Sequence, residues 1–525
     1  MTLANLTEYD RIVYPSYTHP QTHPDRLAVI GHLFGLEPAP VQACRVLEVG
    51  CGDGTNLAPM AWSLPESQFV GIDMARIPLR KGQGLVEKFG LKNLRFVNGD
   101  VTQIDRQWGQ FDYIIAHGFY SWVPREVRLH LLKVCRELLA PQGIAFVSYN
   151  ALPGSHLRNI VREMMLFHVR GLETTLERTQ QARALAQFLI QAQDTAEESR
   201  LWLKAELQQV LEKAPTILHH DDLAKINEPL YFTQFMEDAS RQGLQYLAEA
   251  DFFEMSDEAL NDPVRQTLAK LAGNRLLREQ YLDFLKCRRF RQTLLCHREA
   301  RLQTEPHGKR ISGFLVGSGA KNISGEVDLR PNVNGIFESP KGGKCQTDLP
   351  VGKAALAILG SLWPLTLPFE ELKDKIRVRL AQAGVPSDSS NVSEETLCDF
   401  LLRLYGGGVV EFRTWLPPIA TEAGVRPTVH PIARWQAANR QYVTSLFHIA
   451  VQVEDELGRC LLTWLDGTRE RPELLQKVWD LLKSNNAVEM KAGGETEARK
   501  ETEARLEQNL QKLAKLGLLV RQSSR

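Results

Sequence analysis

Short apolar runs and amphipathic helical patterns alternate over the first third of the chain. The intervening segments 75–90 and 125–140 carry apolar residues at helical spacing, three or four positions apart. The apolar runs between them have the length and composition of strands, at 45–50, 68–73, 94–97, 111–118 and 143–150. This alternation predicts an α/β domain with a doubly wound, parallel sheet that helices cover on both faces.

Beyond residue 155 the pattern changes twice. Residues 155–225 are helical and charged and carry no strand signal, which predicts a helical insertion. The segment 230–300 combines helices with apolar stretches, so we expect it to return to the sheet and supply its final two strands. Residues 301–350 are rich in Gly, Pro, Asn and Lys, and we interpret them as a linker with a small hairpin. Two compact units follow, at 351–416 and 430–525.

Length, charge and cysteine content narrow the class of protein. A chain of 525 residues predicts several domains, and Lys+Arg and Asp+Glu are balanced at 63 each, so we expect no nucleic-acid partner. No apolar run approaches the roughly 20 residues that cross a bilayer, and the first residues lack a secretory signal. We therefore expect no membrane span and a cytoplasmic location. Eight cysteines without a CxxC pair predict neither disulfides nor a metal site.

The strongest chemical signal follows the first predicted strand. Glycines at 50, 52 and 54 form a turn in which the backbone can approach a ligand that a Cβ atom would exclude. Asp73 ends the next strand, where a carboxylate can accept hydrogen bonds from both ribose hydroxyls of a nucleoside cofactor. Asp100 follows the third strand beside Val101, so its carboxylate can reach the adenine amino group next to an apolar contact. The pattern predicts a nucleoside-containing cofactor.

Two residues show whether the glycine motif is better suited to a dinucleotide or to S-adenosylmethionine. The dinucleotide fingerprint GxGxxG/A requires a small third residue where this chain has Thr55. Glu48 lies just before the glycines, and its carboxylate fits a cofactor with a cationic sulfonium and amino group better than a pyrophosphate. Both observations favour S-adenosylmethionine.

The motifs Glu48-x-Gly-Cys-Gly-x-Gly, Gly71-Ile72-Asp73 and Gly99-Asp100 resemble the successive cofactor motifs of class I methyltransferases. The stretches 117–124, 147–156, 161–168 and 227–254 resemble bacterial methyltransferases with a methyltransferase regulatory domain, whose functionally understood members are protein-lysine N-methyltransferases of outer-membrane proteins. The segment from 433 resembles the winged-helix domain of that group. The resemblance implies S-adenosylmethionine as cofactor, with contacts from Glu48, Gly50, Gly52, Gly54, Asn56, Asp73, Met74, Asp100, Val101 and His117.

The acceptor site is expected at the carboxyl ends of the fourth and fifth strands, where ligands bind in open α/β sheets. The loops after these strands carry the candidate catalytic residues His117, Tyr120 and Tyr149. We expect them to form a slot for a lysine side chain, with the N-terminal segment 14–23 as a lid. The acceptor would then be a protein, and the C-terminal units would select it. Two alternatives stay open, a small-molecule or other acceptor and a non-catalytic protein that senses the cofactor.

These arguments divide the chain into six units. The methyltransferase core carries a helical insertion and is followed by winged-helix-like C-terminal domains. A homodimer is a further hypothesis. The predicted units are an N-terminal lid at 1–26, the cofactor-binding core at 27–168, the insertion at 169–226, the regulatory domain that completes the sheet at 227–300, a middle domain at 301–420 and the winged-helix-like domain at 421–525.

Overall fold

A seven-stranded sheet organises the first 300 residues of the computed structural model, which describes residues 6–192, 200–385, 393–485 and 494–521. The strands are β1 (Arg45–Val49), β2 (Gln68–Asp73), β3 (Leu94–Asn98), β4 (Phe111–Ala116), β5 (Leu139–Asn150), β6 (Leu244–Glu249) and β7 (Phe290–His297). Their order is β3-β2-β1-β4-β5-β7-β6, and β7 runs in the direction opposite to the other six strands. The five predicted parallel strands are confirmed, as is the return of 230–300 to the sheet.

Helices cover both faces of this sheet. The first five are α1 (Glu8–Arg11), α2 (Pro24–Leu33), α3 (Leu57–Ser63), α4 (Arg76–Phe89) and α5 (Arg125–Leu138). Alternate residues of each strand point to opposite faces, so Val46 packs with α2, α3 and α4, whereas Leu47 packs with α5. Helix α4 ends at Gly90, which has the left-handed φ of 60° of a helix C-cap.

The described parts of the insertion and the regulatory segment add further α-helices. These are α6 (Ser155–His168), α7 (Thr175–Ala192), α8 (Leu201–Glu212), α9 (Pro215–Ile217), α10 (Phe232–Arg241), α11 (Asp262–Leu271) and α12 (Arg275–Lys286). Helices α6, α7 and α8 enclose an apolar cluster of their own, with Met165, Ala186 and Leu207 at its centre. Residues 193–199 of the predicted insertion lie outside the described residues.

A buried ion network joins the last two strands to α12. Arg291 on β7 is fully buried and contacts three carboxylates. Its Nε atom lies 2.9 Å from Asp283 Oδ2, its Nη2 atom lies 3.2 Å from Glu279 Oε2, and Nη1 contacts Glu249 on β6. Buried charges of this kind are tolerated only when they are paired, so the network ties these elements together.

The interpretation of 301–350 as a linker is wrong, although the hairpin is confirmed. The hairpin pairs β10 (Gly335–Glu338) with β11 (Lys344–Thr347), and β9 (Lys321–Asn322) adds a third strand. Strand β8 (Leu315–Gly317) is the centre of another sheet, between β12 (Leu367–Pro368) and β13 (Glu411–Arg413). Sequence spacing missed this sheet because its partners are distant in the chain. The unit also contains α13 (Pro350–Leu362), α14 (Phe369–Gln382) and α15 (Glu394–Gly406).

The C-terminal unit has a separate apolar core. It contains α16 (Pro431–Asn439), β14 (Tyr442–Thr444), β15 (Ala450–Gln452), α17 (Glu456–Trp464), α18 (Arg471–Ser484) and α19 (Gly494–Lys515). Leu461, Val478 and Leu510 lie at the centre of that core. Within the described ranges, no helix is both long and apolar enough to cross a membrane, and no cluster of His, Cys, Asp or Glu could hold a metal ion.

Candidate cofactor and acceptor site

The turn after β1 has the backbone that its glycines predict. Gly50, Gly52 and Gly54 all have left-handed φ angles, of 74°, 56° and 70°. A Cβ atom on Gly54 would lie 2.1 Å from the Phe96 ring, so packing alone requires glycine there. At Gly52 the nearest atom to such a Cβ is Ser16 Oγ at 3.8 Å. The loop therefore leaves space above Gly52, where a ligand can approach the backbone.

Asp73 holds this loop against the end of β2. Its Oδ2 atom accepts a hydrogen bond from the Gly52 amide at 2.9 Å, and its Oδ1 atom accepts one from the Ala75 amide at 2.8 Å. Burial raises the pKa of the carboxyl, and the two amides oppose that rise. Each carboxylate oxygen can accept a second hydrogen bond, so Asp73 can still bind ribose hydroxyls.

Glu48 is buried beside the same loop, and one of its two carboxylate oxygens is hydrogen-bonded. Its Oε1 atom accepts a hydrogen bond from Asn56 Nδ2 at 2.7 Å. Its Oε2 atom is buried and has no hydrogen-bond partner among the described residues. Burial raises the pKa of Glu48 to about 8. Because buried polar atoms are almost always hydrogen-bonded, this oxygen fits the ammonium group of S-adenosylmethionine.

The N-terminal segment crosses the carboxyl edge of the sheet above these residues. Asp10 Oδ1 accepts a hydrogen bond from the Ile77 amide at 2.7 Å, at the start of α4. Further along, the His19 amide donates to Asn56 Oδ1 at 2.9 Å. The role of this segment as a lid stays a prediction, and residues 1–5 lie outside the described chain.

His117 lies beneath this segment at the end of β4. Its ring centroid is 3.9 Å from that of His19, and its Nδ1 atom is 3.2 Å from Ser148 Oγ. Burial lowers the pKa of His117 well below its usual value and that of His19 to about 4. Both rings are therefore neutral near pH 7 and are weak bases. The contact of His117 with the cofactor and its general-base role stay predictions.

Met74, Asp100 and Val101 lie near the ends of β2 and β3. Asp100 begins a short turn, in which its Oδ1 atom accepts a hydrogen bond from the Thr102 amide at 2.8 Å. Val101 is buried under this turn, whereas Met74 is largely exposed. These positions fit an adenine ring between Met74 and Val101, and the contacts themselves stay predictions.

The structure corrects the expected placement of Tyr120 and Tyr149. Their side chains are 0% and 1% exposed, and the Tyr149 ring stacks on Phe235 at 4.3 Å between centroids. Side chains alternate along β5, so Tyr149 points away from the face that carries Ser148. There Tyr149 Oη lies 3.2 Å from Thr293 Oγ1 on β7. Helix α10, which supplies Phe235, closes this region, so the two tyrosines do not form the wall of an open slot.

A cavity of about 340 Å³ opens instead between the N-terminal segment, the glycine loop and the C-terminal unit. Tyr14, Tyr17 and Tyr442 contribute aromatic rings to its lining, and Asp53 and Thr55 belong to the loop. The rings of Tyr17 and Tyr442 meet edge to face at 5.6 Å. Sequence reasoning missed Tyr442 because it lies almost 400 residues from the glycine motif.

Family models match three parts of the chain. A methyltransferase domain matches 46–143, a predicted methyltransferase regulatory domain matches 214–297, and the C-terminal winged helix domain of PKMT matches 426–518. The first match covers the glycine turn, Asp73 and Asp100, whose geometry fits S-adenosylmethionine. The chain is a class I S-adenosylmethionine-dependent methyltransferase.

Two of three similar proteins cover nearly the whole of the methyltransferase. The uncharacterized protein RP789 of Rickettsia prowazekii is 29% identical over 99% of this chain and 95% of its own length. The uncharacterized protein RP028 of the same organism is 37% identical over 46% of this chain and 98% of its own length. The structure of PKMT2 from Rickettsia typhi in complex with AdoHcy has a TM-score of 0.84 and 27% identity, covering 96% of this chain and 99% of that chain.

Proposed function

We propose that this methyltransferase transfers methyl groups to the ε-amino groups of lysine side chains in a protein acceptor. The observation that carries the proposal is the likeness to PKMT2, which extends over 96% of the chain and includes the C-terminal winged-helix domain. A catalytic domain alone would leave the acceptor open, because many methyltransferases share it. The additional domains are the part of the chain that a protein acceptor can contact.

The cavity beside the glycine loop is the proposed entrance for the lysine side chain. Its aromatic lining at Tyr14, Tyr17 and Tyr442 suits a long aliphatic stem, which packs well on ring faces. Tyr14 is also hydrogen-bonded to the side chain of Asp221. Because Asp221 also pairs with Arg158 at 3.6 Å, the aromatic lining and not a free negative charge supports this entrance. The cavity therefore replaces the slot expected from Tyr120 and Tyr149.

The reaction is an in-line displacement. When bound, S-adenosylmethionine supplies a methyl carbon attached to a positively charged sulfur. The acceptor would be the neutral lysine amine, which has already released a proton to solvent. Its lone pair would form the new N–C bond in place of the cofactor's S–C bond, whose electrons would remain on sulfur. A lysine has a pKa of about 10.4 in water, and burial beside a positive charge lowers it. No dedicated base is therefore required.

The chain's own residues hold the reactants in place. Glu48 and Asp73 would bind the ammonium and ribose groups of the cofactor. Correct orientation of two reactants can lower a barrier by roughly 7–11 kcal/mol. We assign most of the acceleration to this effect.

The test is incubation of the purified protein with isotopically labelled S-adenosylmethionine and fractions of its host cells. Mass spectrometry then locates the label. We expect it on lysine nitrogen of one or a few proteins, and we expect no label with Asp73→Ala as the enzyme. Label only on oxygen, on carbon or on a free metabolite would refute the lysine proposal.

Two further expectations from the sequence, a cytoplasmic location and a homodimer, stay predictions. Light scattering of the purified chain measures the mass in solution. A mass of 59.3 kDa, that of one chain, would contradict the homodimer.

A further inference from the structure

The side-chain amide of Asn56 is saturated with hydrogen bonds. Its Nδ2 atom donates to Glu48 Oε1 at 2.7 Å and to Thr22 Oγ1 at 3.0 Å. Its Oδ1 atom accepts from the His19 amide at 2.9 Å and from His448 Nε2 at 2.8 Å. An amide has two donors and two acceptor positions, so all four are used. The orientation of Asn56, and with it that of Glu48, is therefore set by its partners.

One of these partners comes from the C-terminal domain. His448 is buried and has a φ of 60°, a left-handed conformation that only a few per cent of non-glycine residues adopt. The turn that holds it there includes a hydrogen bond from its own amide to the Ser445 carbonyl at 2.9 Å. Because Asn56 Oδ1 can only accept, Nε2 of His448 must carry the proton. This unusual backbone directs the ring into the cofactor domain.

A second contact from the same domain holds the neighbouring loop residues. Arg440 Nη2 forms an ion pair with Asp53 Oδ2 at 2.8 Å, and Nη1 donates to Thr55 Oγ1 at 2.5 Å. Asp53 uses its other oxygen within the loop, where Oδ1 accepts from the Thr55 amide at 3.1 Å. The planar guanidinium thus contacts both residues that flank Gly54.

We propose that Arg440 and His448 are positioning residues of the cofactor site. They hold the glycine-rich loop from the C-terminal domain and, through Asn56, orient Glu48 toward the ammonium group of S-adenosylmethionine. The C-terminal domain thereby determines cofactor affinity as well as any acceptor choice. This role does not depend on which acceptor is methylated.

The test measures S-adenosylmethionine affinity by calorimetry in full-length variants. Arg440→Met and His448→Leu should each raise the Kd at least fivefold, because the loop loses a partner. His448→Gln should restore most of the affinity, since its amide can donate to Asn56 while its backbone meets the same constraint as leucine. Arg469→Met is the matched control, because Arg469 pairs with Asp466 inside the same domain at 2.8 Å.

Thermal unfolding of each variant separates positioning from a loss of folding. If Arg440→Met does not fold, the comparison of His448→Leu with His448→Gln still tests the positioning role, because both variants have the same backbone strain. The proposal is overturned if the folded variants bind within twofold of the parent protein. It is also overturned if His448→Gln binds as weakly as His448→Leu, or if Arg469→Met weakens binding equally.

Discussion

Asp73 Oδ2 accepts a hydrogen bond from the backbone amide of Gly52 at 2.9 Å, which joins the end of β2 to the loop after β1. The residue that we expect to bind the ribose is therefore also the residue that holds the glycine loop. We therefore expect cofactor binding and loop geometry to be coupled through this carboxylate.

Replacement of this carboxylate should weaken the cofactor site. We expect Asp73→Ala to reduce S-adenosylmethionine affinity at least tenfold, because charge-assisted hydrogen bonds to the ribose are lost together with the loop contact. Asp105→Ala is the control, since Asp105 accepts a similar turn hydrogen bond from the Gln107 amide in an exposed segment. Unchanged affinity of a folded Asp73→Ala protein in calorimetry would remove Asp73 from this role.

Alanine substitution at two glycines with similar φ angles distinguishes the effect of backbone strain from the effect of blocking the ligand. Gly52 and Gly90 have φ angles of 56° and 60°, and a Cβ atom meets nothing closer than 3.8 Å at either. Alanine at either position should cost about 1 to 2 kcal/mol of stability. Only Gly52→Ala should also lose at least tenfold in cofactor affinity, because its methyl group enters the ligand space. Equal affinities of the two variants would show that no ligand lies over Gly52.

Cofactor binding should release a proton from Glu48. Its pKa of about 8 keeps the carboxyl protonated near pH 7, and a cofactor ammonium at Oε2 would lower that pKa. The bound state then holds fewer protons, so affinity should rise as pH increases from about 6 to about 7. Calorimetry in buffers with different ionisation enthalpies measures the proton count. Equal heats in all buffers, or the same release from Glu48→Gln, would contradict the prediction.

The buried ion network should dominate the stability of the regulatory segment. Arg291→Met leaves the buried carboxylate of Glu249 without its arginine, whereas Asp283 keeps Arg288 at 3.1 Å and Glu279 keeps Arg278 at 3.7 Å. Because one partner of a buried ion pair is removed, we expect a loss of about 3–5 kcal/mol. Arg265→Met, which removes an exposed pair with Asp262, should leave the melting temperature unchanged. Differential scanning calorimetry compares them. Similar melting temperatures for both variants would mean that the network is not stabilising.

Substitution of an aromatic residue in the acceptor cavity should weaken binding of the protein acceptor. Tyr442→Ala should raise KM for the protein acceptor at least threefold, because the cavity loses one of its rings, and should leave S-adenosylmethionine affinity nearly unchanged. Tyr149→Phe is the control, since its ring lies in the core and its hydroxyl is hydrogen-bonded to Thr293. If Tyr149→Phe raised the acceptor KM more than Tyr442→Ala, the result would support an acceptor slot between Tyr120 and Tyr149 instead of the cavity.

The sequence by itself determined the parallel sheet, the glycine turn and the carboxylates at 48 and 73. These features depend on local rules, because strand periodicity and left-handed φ angles are properties of short segments. Their order along the chain was sufficient to predict the cofactor.

Only the tertiary structure decided which side chains surround that cofactor site. The burial of Tyr149 depends on Phe235 in a helix that folds back over the sheet, and β8 finds its partners 50 and nearly 100 residues away. The contacts of Arg440 and His448 with the glycine loop and Asn56 span 387 and 392 residues. Such contacts arise from the packing of complete domains, and no periodicity or local spacing in the sequence encodes them.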